Sequence, residues 1–480
     1  MPSSALADRR PRLAAAAAAV LLSAGCTSFA DTLAESGAPP AAAEPTEPAT
    51  EPDSCPTQRA EPDPDRPRID LEFSVADDLR SVTGTETVTF TPDQPTDELV
   101  FRLVPNTPDG GPDELTVDAV RGADVADSGY EAAEADEPGG LYVVQLADEL
   151  AAGTSTEVEL DFTLGVTGGN FDRVGADAGV TWWASGHPLL AWEPGVGWAR
   201  DPFVGIIGET TVSPAADTTI TVSAPEELTV LMTGDQEDPS EPADGRRTWT
   251  SAEPVARDVA VAVGDFTTTQ RQTEGGVPVT VGSLDGSEDA TKLADDTVAA
   301  IEDLEEFLGP FPYETQTIIG LPDYGGGIEY PSAILQASRD DVVLVHEVAH
   351  MWFYGMVGNS QFRDPWLDEA FATWAESVVH GGPSFPDALG VPGDVGQPMD
   401  AWPGAENYFT TVYGKGASAL LEAREQAGAE EFDAAIRCYV DATAWSIATP
   451  DDLVEALAGL PEALDVLVEA GALDEADLPE

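Results

Sequence analysis

The sequence predicts an α+β chain of more than one domain, with a β-rich part first and a mainly α-helical part after it. Its 480 residues allow roughly two or three domains, and 42% hydrophobic residues are enough to form their cores. Apolar and polar residues alternate between about residue 68 and residue 268, which is the pattern of half-buried strands. After residue 268, apolar residues recur at the spacing of one helix face.

The first 25 residues have the composition of an export signal. Three arginines precede an apolar run over residues 13–22, and small residues then lead to Cys26. The run is shorter than the roughly 20 residues that a membrane-spanning helix needs. Residues 23–26 resemble a bacterial lipoprotein processing site. We therefore expect a signal peptide over residues 1–25 and a lipid on Cys26, which holds the protein at the outer face of the cell membrane. Cleavage without lipidation, and hence secretion, is the alternative.

Residues 26–67 are rich in Ala, Pro, Glu and Thr and lack apolar periodicity, which predicts a disordered tether. The chain contains three cysteines. If Cys26 carries the lipid, Cys55 and Cys438 remain, and an exported protein could join them. The sequence alone leaves this pairing open.

The charge balance argues against one class of partner. The chain has 89 Asp and Glu against 21 Lys and Arg, which gives a formal net charge of -68. Such a surface repels phosphate backbones, so we expect no binding of nucleic acid. The acidity indicates a well-solvated surface and does not identify a substrate.

Residues 68–268 are predicted to form one β-rich domain, because clusters of Gly, Pro and Asp separate its strands and no long helical stretch intervenes. Clear alternation covers residues 158–164, for example. The domain contains no catalytic motif. His187 lies close to Trp182 and Trp183 in the sequence, and a lone histidine among aromatic residues is more typical of a structural role than of a metal ligand.

Residues 269–447 are predicted to form the helical domain, and Leu- and Ala-rich segments within residues 448–480 are expected to pack against it. One helix is predicted to begin at Ser338, whose hydroxyl could act as its N-cap. This helix is expected to continue through residues 346–350.

Residues 346–350 read H-E-V-A-H and carry the clearest chemistry in the chain. His346 and His350 are four positions apart, so their imidazoles lie on one face of a helix and can bind a single metal ion. Glu347, beside the first histidine, can reach a water molecule on that metal. This pattern is typical of a zinc site.

A catalytic zinc takes three protein ligands and keeps one position for water, so a third ligand is needed. Glu369 is the candidate, because Asp364 and Pro365 predict that a new helix begins just before it. Eighteen residues separate Glu369 from His350, which is enough to end one helix, turn and bring a second helix alongside. His380 is the competing ligand. We expect one Zn2+ per chain.

Several motifs, taken in order, resemble those of the M1 family of zinc aminopeptidases, the gluzincins that include aminopeptidase N. The H-E-x-x-H residues with Glu369 match the family's ligand spacing, and residues 366–372 resemble its W-L-N-E-G-F-A segment. Residues 326–330 resemble its G-x-M-E-N exopeptidase motif, and residues 413–417 resemble its Y-x-K-G-A stretch. The resemblance covers about residues 68–425. It implies a β-saddle domain followed by a thermolysin-like catalytic domain, in a short form without the large C-terminal helical domain of many members.

The resemblance implies that His346, His350 and Glu369 are the zinc ligands and that Glu347 is the general base. These roles agree with elementary chemistry. Zinc lowers the pKa of a bound water to about 7, so a carboxylate can take its proton near neutral pH.

The resemblance assigns the remaining roles to the other two motifs. It implies that Tyr413 stabilises the transition state, with Tyr408 as its competitor. It implies that Glu329 binds the α-amino group of the substrate. Gly326 and Gly327 would let the backbone pass close to that substrate.

The chain departs from the family pattern at Ile328, Tyr330 and Asp368, where the family has Met, Asn and Asn. The resemblance implies that the protein removes N-terminal residues from peptides with a free N-terminus, and the expected export signal places this activity outside the cytoplasm. A zinc endopeptidase or oligopeptidase is the alternative if Glu329 does not reach the amine. A catalytically silent, peptide-binding surface lipoprotein is the alternative outside the enzymes.

Overall fold

The computed structural model describes residues 55–56, 58–107, 114–135, 138–168, 171–206, 212–284, 288–383, 385 and 388–478. The expected signal peptide, the expected lipid site at Cys26 and the first part of the expected tether lie outside these residues. In the described part of the chain, no helix is both long enough and apolar enough to cross a membrane.

The first half of the described chain is built of strands, and we call it the β-rich domain. The strands are β1 (Arg68–Val75), β2 (Ser81–Phe90), β3 (Thr96–Arg102), β4 (Glu114–Arg121), β5 (Val125–Glu131), β6 (Leu141–Leu150), β7 (Thr156–Gly165), β8 (Val174–Asp177), β9 (Val180–Ala184), β10 (Leu189–Leu190), β11 (Trp192–Glu193), β12 (Gly197–Trp198), β13 (Ala216–Pro225), β14 (Thr229–Met232), β15 (Asp235–Gln236), β16 (Arg246–Ala256) and β17 (Ala260–Gly264). Seven of these strands form one sheet in the order β15-β16-β13-β1-β2-β7-β4. Two four-stranded sheets have the orders β10-β3-β6-β5 and β14-β17-β9-β8, and β11 pairs with β12.

Alternation in the sequence explains the large sheet. Along β1 every second side chain is buried, and the intervening ones face solvent. β1 pairs antiparallel with β2 and parallel with β13, so it lies in the middle of the sheet. Its buried face packs into an aromatic core, where the ring of Phe73 lies edge-on to Phe162 at 5.9 Å and to Trp183 at 5.5 Å.

The second half, which we call the helical domain, begins with a small sheet and continues mainly as helices. Its elements are β18 (Thr267–Gln272), β19 (Pro278–Ser283), α1 (Glu288–Leu308), β20 (Gln316–Gly320), β21 (Gly326–Tyr330), β22 (Ala333–Ala337), α2 (Asp341–Ala349), β23 (Gly358–Asn359), α3 (Trp366–Val379), α4 (Ala405–Phe409), α5 (Ala417–Ala427), α6 (Ala429–Ala442), β24 (Ile447–Ala448), α7 (Pro450–Ala456) and α8 (Pro461–Glu469). The sheet order is β18-β19-β20-β22-β21, which places β21 at an edge. A π-helical segment, Thr410–Gly416, joins α4 to α5. The predicted fold class, α+β with the β-rich part first, is confirmed.

The helices that carry the H-E-V-A-H residues and Glu369 begin differently from the prediction. α2 is capped by Asp340, whose side chain accepts a hydrogen bond from the N–H of Val342. The predicted cap, Ser338, instead accepts from the N–H of Asp340 in the turn before the helix. At the start of α3, Asp364 uses its main-chain carbonyl, which accepts from the N–H of Leu367. The predicted cap at Ser338 was therefore wrong, because its hydroxyl is used in the turn before the helix. Helix α3 begins at Trp366 without a side-chain hydrogen bond from its N-cap residue, Pro365.

Residues before position 68 make specific contacts with the helical domain. The expected tether, which was predicted to extend to residue 67, is therefore shorter than predicted. Arg59 donates to the carboxylate of Asp441 at 3.1 Å and to the carbonyl of Pro310 at 2.8 Å. A disulfide joins Cys55 to Cys438 in α6, with the two Cα atoms 5.1 Å apart. The low-complexity composition of this stretch hides contacts that only the folded helical domain provides.

A buried carboxyl group links β16 to the turn between β21 and β22. The hydroxyl of Ser332 donates to Glu253 at 2.9 Å and accepts from the N–H of Gly234 at 2.9 Å. Only 4% of Glu253 is exposed. Burial raises the pKa of Glu253 to about 7, although the hydrogen bond from Ser332 lowers it.

This carboxyl group predicts a pH dependence of stability. Its folded pKa lies above the unfolded value, so the folded state binds more protons between pH 4.5 and 7 and loses stability as pH rises through that window. Glu253→Gln cannot ionise, and we expect it to match the wild type at pH 4.5 and to exceed its free energy of unfolding by about 1–3 kcal/mol at pH 8. Urea unfolding at both values measures this. If the variant and the wild type differed equally in free energy of unfolding at both pH values, the pH dependence could not be assigned to Glu253.

Candidate active site

The three predicted metal ligands converge at one point between α2 and α3. Nε2 of His346 lies 3.2 Å from Oε2 of Glu369, and Nε2 of His350 lies 3.1 Å from Nε2 of His346. Nε2 of His350 is 3.4 Å from the same glutamate oxygen. His350 and Glu369 are almost fully buried.

These distances fit a tetrahedral zinc ion. At a zinc–ligand distance of roughly 2.0–2.1 Å, two ligand atoms of a tetrahedron lie about 3.3 Å apart. The three separations around His346, His350 and Glu369 bracket that value. Two imidazoles and one carboxylate leave the fourth position for water, which is the donor set of a catalytic zinc.

Carboxylates orient both imidazole rings from behind. Nδ1 of His350 lies 2.7 Å from Oδ1 of Asp368, and the second oxygen of Asp368 accepts from the side-chain amide of Gln361 at 3.3 Å. Nδ1 of His346 lies 3.3 Å from Oε2 of Glu376. Each ring therefore carries its hydrogen on Nδ1 and turns the Nε2 lone pair towards the metal position.

Sequence reasoning missed these two partners, although a signal existed. Asp368 precedes Glu369 directly, and Glu376 follows it by seven residues, which is two helical turns. A helix that presents a metal ligand presents residues at that spacing to the same neighbour.

Glu347 points into the cavity beside the metal position. Its Oε2 has no hydrogen-bond partner among the described residues, so it can accept from water. Burial raises the pKa of Glu347 to about 7, while His346 and His350 lower it. A Cβ atom at Gly327 would lie 2.5 Å from the Glu347 side chain, so this glycine makes room for the carboxylate.

Glu329 lies on the edge strand β21 and faces the same group. One of its oxygens, an oxygen of Glu347 and a nitrogen of His350 all lie within 4.8 Å of one another. A cavity of about 560 Å³ contains these carboxylates, and Arg173 from the β-rich domain also lines it. Gly326 lies in the wall next to the ring of Phe171, with room for an ordinary contact there.

Tyr413 also lines the cavity. Its ring stacks on His346, with centroids 5.8 Å apart and an interplanar angle of 15°. Tyr408, the competing tyrosine, is fully buried and packs against Trp402 instead. Among the described residues, the converging donor groups contain neither His380 nor His187. His380 follows the last residue of α3.

The contact between His350 and Asp368 predicts the zinc affinity of two variants. Asp368→Ala removes the acceptor that orients the ring, so we expect the dissociation constant for zinc to rise about 10- to 100-fold. Asp368→Asn keeps an oxygen at that position, so we expect it to change the dissociation constant for zinc less than about tenfold. Competition with a chromophoric chelator measures both, with the exposed Asp303→Ala as control. Unchanged affinity in Asp368→Ala would show that the carboxylate does not orient the ligand.

Comparison with known sequences agrees with the motifs. Residues 294–384 match the model described as the peptidase family M1 domain. Aminopeptidase M1 of Arabidopsis thaliana is 28% identical over 251 residues, which is 44% of this chain and 28% of that protein. Aminopeptidase N of Lactococcus lactis is 29% identical over 234 residues, or 40% of this chain and 27% of that protein. The chain thus spans less than a third of these relatives.

Comparison with solved structures covers far more of the molecule. An M1 zinc metallopeptidase from Deinococcus radiodurans superimposes with a TM-score of 0.65 and 19% identity, over 85% of this chain and 93% of that one. A two-domain M1 zinc metallopeptidase bound to L-arginine gives the same TM-score and identity, over 85% and 94%. The resemblance expected from the motifs is confirmed: residues 294–384 match the M1 peptidase domain, and the chain has the fold of the two-domain M1 zinc metallopeptidases.

Proposed function

We propose that this protein is a zinc-dependent aminopeptidase that hydrolyses the first peptide bond of peptides with a free N-terminus. The observation that carries the proposal is the proximity of Glu329 to the metal-binding group, with Glu347 and His350 inside 4.8 Å. A carboxylate that holds an ammonium group at this distance places the first peptide bond, and no later one, beside the metal.

His346, His350 and Glu369 would hold the zinc ion. When bound, the ion makes a water molecule acidic near neutral pH and polarises the scissile carbonyl. Glu347 accepts a proton from that water, because its free oxygen lines the cavity. It then delivers the proton to the leaving amine, which is the usual division of work for a general base and acid.

Tyr413 and Glu329 act on different groups of the substrate. The phenol of Tyr413, held over the His346 ring, donates to the oxyanion that develops on the carbonyl. Removing such a donor typically costs on the order of a hundredfold or more in rate. Glu329 holds the α-ammonium group and so sets the geometry of attack.

The charge of the cavity favours the exopeptidase over the endopeptidase alternative. Among the residues that line it, Asp172 and four glutamates carry more negative charge than the positive charge that Arg173 and a bound zinc ion carry together. A free N-terminus brings a positive charge to this wall and is attracted. An acetylated terminus or an internal segment brings a neutral amide and gains no such attraction.

The ligands of the structural neighbours agree with this substrate class. A variant of the Deinococcus radiodurans enzyme was crystallised with the peptide Tyr-Ser-Ala, and a two-domain M1 metallopeptidase with L-tryptophan. Peptides and their released N-terminal residues are therefore the expected substrates and products here.

Export with a lipid on Cys26 forms the second part of the proposal. The disulfide between Cys55 and Cys438 supports it, because such bonds persist in oxidising compartments and are rare in the cytosol. The enzyme would then act on peptides at the outer face of the membrane.

A substrate panel tests the aminopeptidase assignment. We expect the wild type to cleave aminoacyl p-nitroanilides, to reject their N-acetylated forms, and to lose activity to a chelator and regain it with zinc. Glu329→Gln is expected to lower kcat/KM for the free-amine substrate by roughly ten- to a thousandfold with zinc content unchanged. Glu347→Gln should keep the zinc and lose turnover, whereas the exposed Glu306→Gln should behave as wild type. Equal cleavage of blocked and free substrates would favour the endopeptidase instead.

Cell fractionation tests the placement. We expect the wild-type protein in the membrane fraction with a lipid-bearing N-terminal cysteine, detected by mass spectrometry of the N-terminal peptide. Cys26→Ser should release the protein or block its processing, whereas Ser28→Ala should do neither. A wild-type protein found wholly in the medium with an unmodified terminus would rule out the anchor.

A further inference from the structure

The edge strand that carries Glu329 is tied to the β-rich domain through a buried hydroxyl pair. Tyr330, the last residue of β21, is 1% exposed, and its Oη lies 3.3 Å from Oγ of Ser185, just after β9. Oγ of Ser185 in turn lies 2.5 Å from Oδ2 of Asp258. The contact therefore joins the two domains through buried side chains.

The direction of these hydrogen bonds follows from counting hydrogens. The carboxylate of Asp258 also accepts from the N–H of Val259 at 2.7 Å. Ser185 has one hydroxyl hydrogen and donates it to Asp258, so Tyr330 must donate to Ser185. Burial raises the pKa of Tyr330 well above its usual value, which keeps the phenol protonated and able to donate.

Asp258, the acceptor at the end of this series of hydrogen bonds, lies close to a further charged group. His187 lies between two buried carboxylates, with Nδ1 3.4 Å from Glu86 and Nε2 3.7 Å from Asp258. Burial alone would lower the pKa of His187, but the two carboxylates outweigh it and raise the pKa to about 10. A protonated His187 attracts Asp258 electrostatically, while its Nε2 makes no hydrogen bond to a described residue.

We propose that Tyr330 is a positioning residue, which sets the Glu329 carboxylate for recognition of the substrate amine by anchoring β21 to the Ser185–Asp258 pair. The inference rests on the proposed aminopeptidase function. Tyr330 is not among the residues that line the cavity, so it acts through its neighbour.

The geometry of β21 explains why an anchor is needed. Successive side chains of a strand point to opposite faces, so Glu329 faces the cavity while Tyr330 faces the β-rich domain. The strand pairs with β22 on one side only, and residues 325–327 are glycines with no side chain to pack. The position of β21 therefore depends on its C-terminal end, where Tyr330 is anchored. Because neighbouring side chains alternate, anchoring Tyr330 on one face also fixes the direction in which Glu329 points on the other.

A double-mutant cycle tests this role. Tyr330→Phe keeps the ring and removes the donated hydrogen bond, while Asp258 keeps its other donors. We expect KM for a free-amine p-nitroanilide to rise about three- to tenfold, with kcat within about twofold and zinc content unchanged. In the Ser185→Ala background the same change should alter KM less than about twofold, because the contact is already lost.

Tyr439→Phe is the matched control, since Tyr439 is also buried and its hydroxyl has no hydrogen-bond partner among the described residues. It should leave KM unchanged. Should Tyr330→Phe not fold, Ser185→Ala alone is expected to raise KM in the same way. An unchanged KM in a folded Tyr330→Phe enzyme, or a fall in kcat together with zinc content, would overturn the positioning role. Failure of the wild type to prefer free amines would instead refute the aminopeptidase assignment.

Discussion

The placement of the metal-binding helix depends on one buried cation, Arg257. Its guanidinium is 5% exposed and donates to carbonyl oxygens of the β-rich domain, of the turn after α2, and of the segment before β24. The acceptors are Ser213 at 2.8 Å, Gly355 at 3.3 Å, Met356 at 3.4 Å and Ser446 at 3.2 Å. Burial lowers the pKa of Arg257, yet an arginine remains charged in proteins. A charge in such a place is costly unless its donors are satisfied, so these segments must stay together.

The next residue along the chain serves the other half of the site. Arg257 reaches the turn that ends the metal-binding helix α2, and Asp258 reaches Tyr330 through Ser185. Adjacent residues of the bend between β16 and β17 therefore hold two elements that must agree in position. These are the helix with the zinc ligands and the strand with Glu329. An aminopeptidase needs this distance to be constant, because it decides which peptide bond lies over the metal.

How far the sequence predicts this arrangement depends on how many residues separate the two partners of each contact. Period-two alternation and helical spacing predicted the order of the β-rich and helical parts, and the four-residue spacing of His346 and His350 predicted that their rings would meet. Residues 145 positions apart, such as Ser185 and Tyr330, leave no periodic signal. The same holds for the disulfide, whose cysteines are 383 positions apart. Composition predicted disorder up to residue 67, because it cannot register Arg59 docking on a distant helix.

Tyr413 shows another limit of prediction from sequence. Its motif is a short local pattern, whereas the position of its ring depends on contacts with distant residues. The motif lies in a π-helical segment, and extra residues of this kind inside helices commonly occur at functional sites. A Cβ at Gly416 would come within 2.6 Å of the Cβ of Ala370, so the segment packs directly against the helix turn that bears Glu369. That close approach allows the Tyr413 ring to lie over His346 while Tyr408 remains in the core. This contact between Gly416 and Ala370 therefore holds the segment that bears Tyr413 against the helix that bears Glu369.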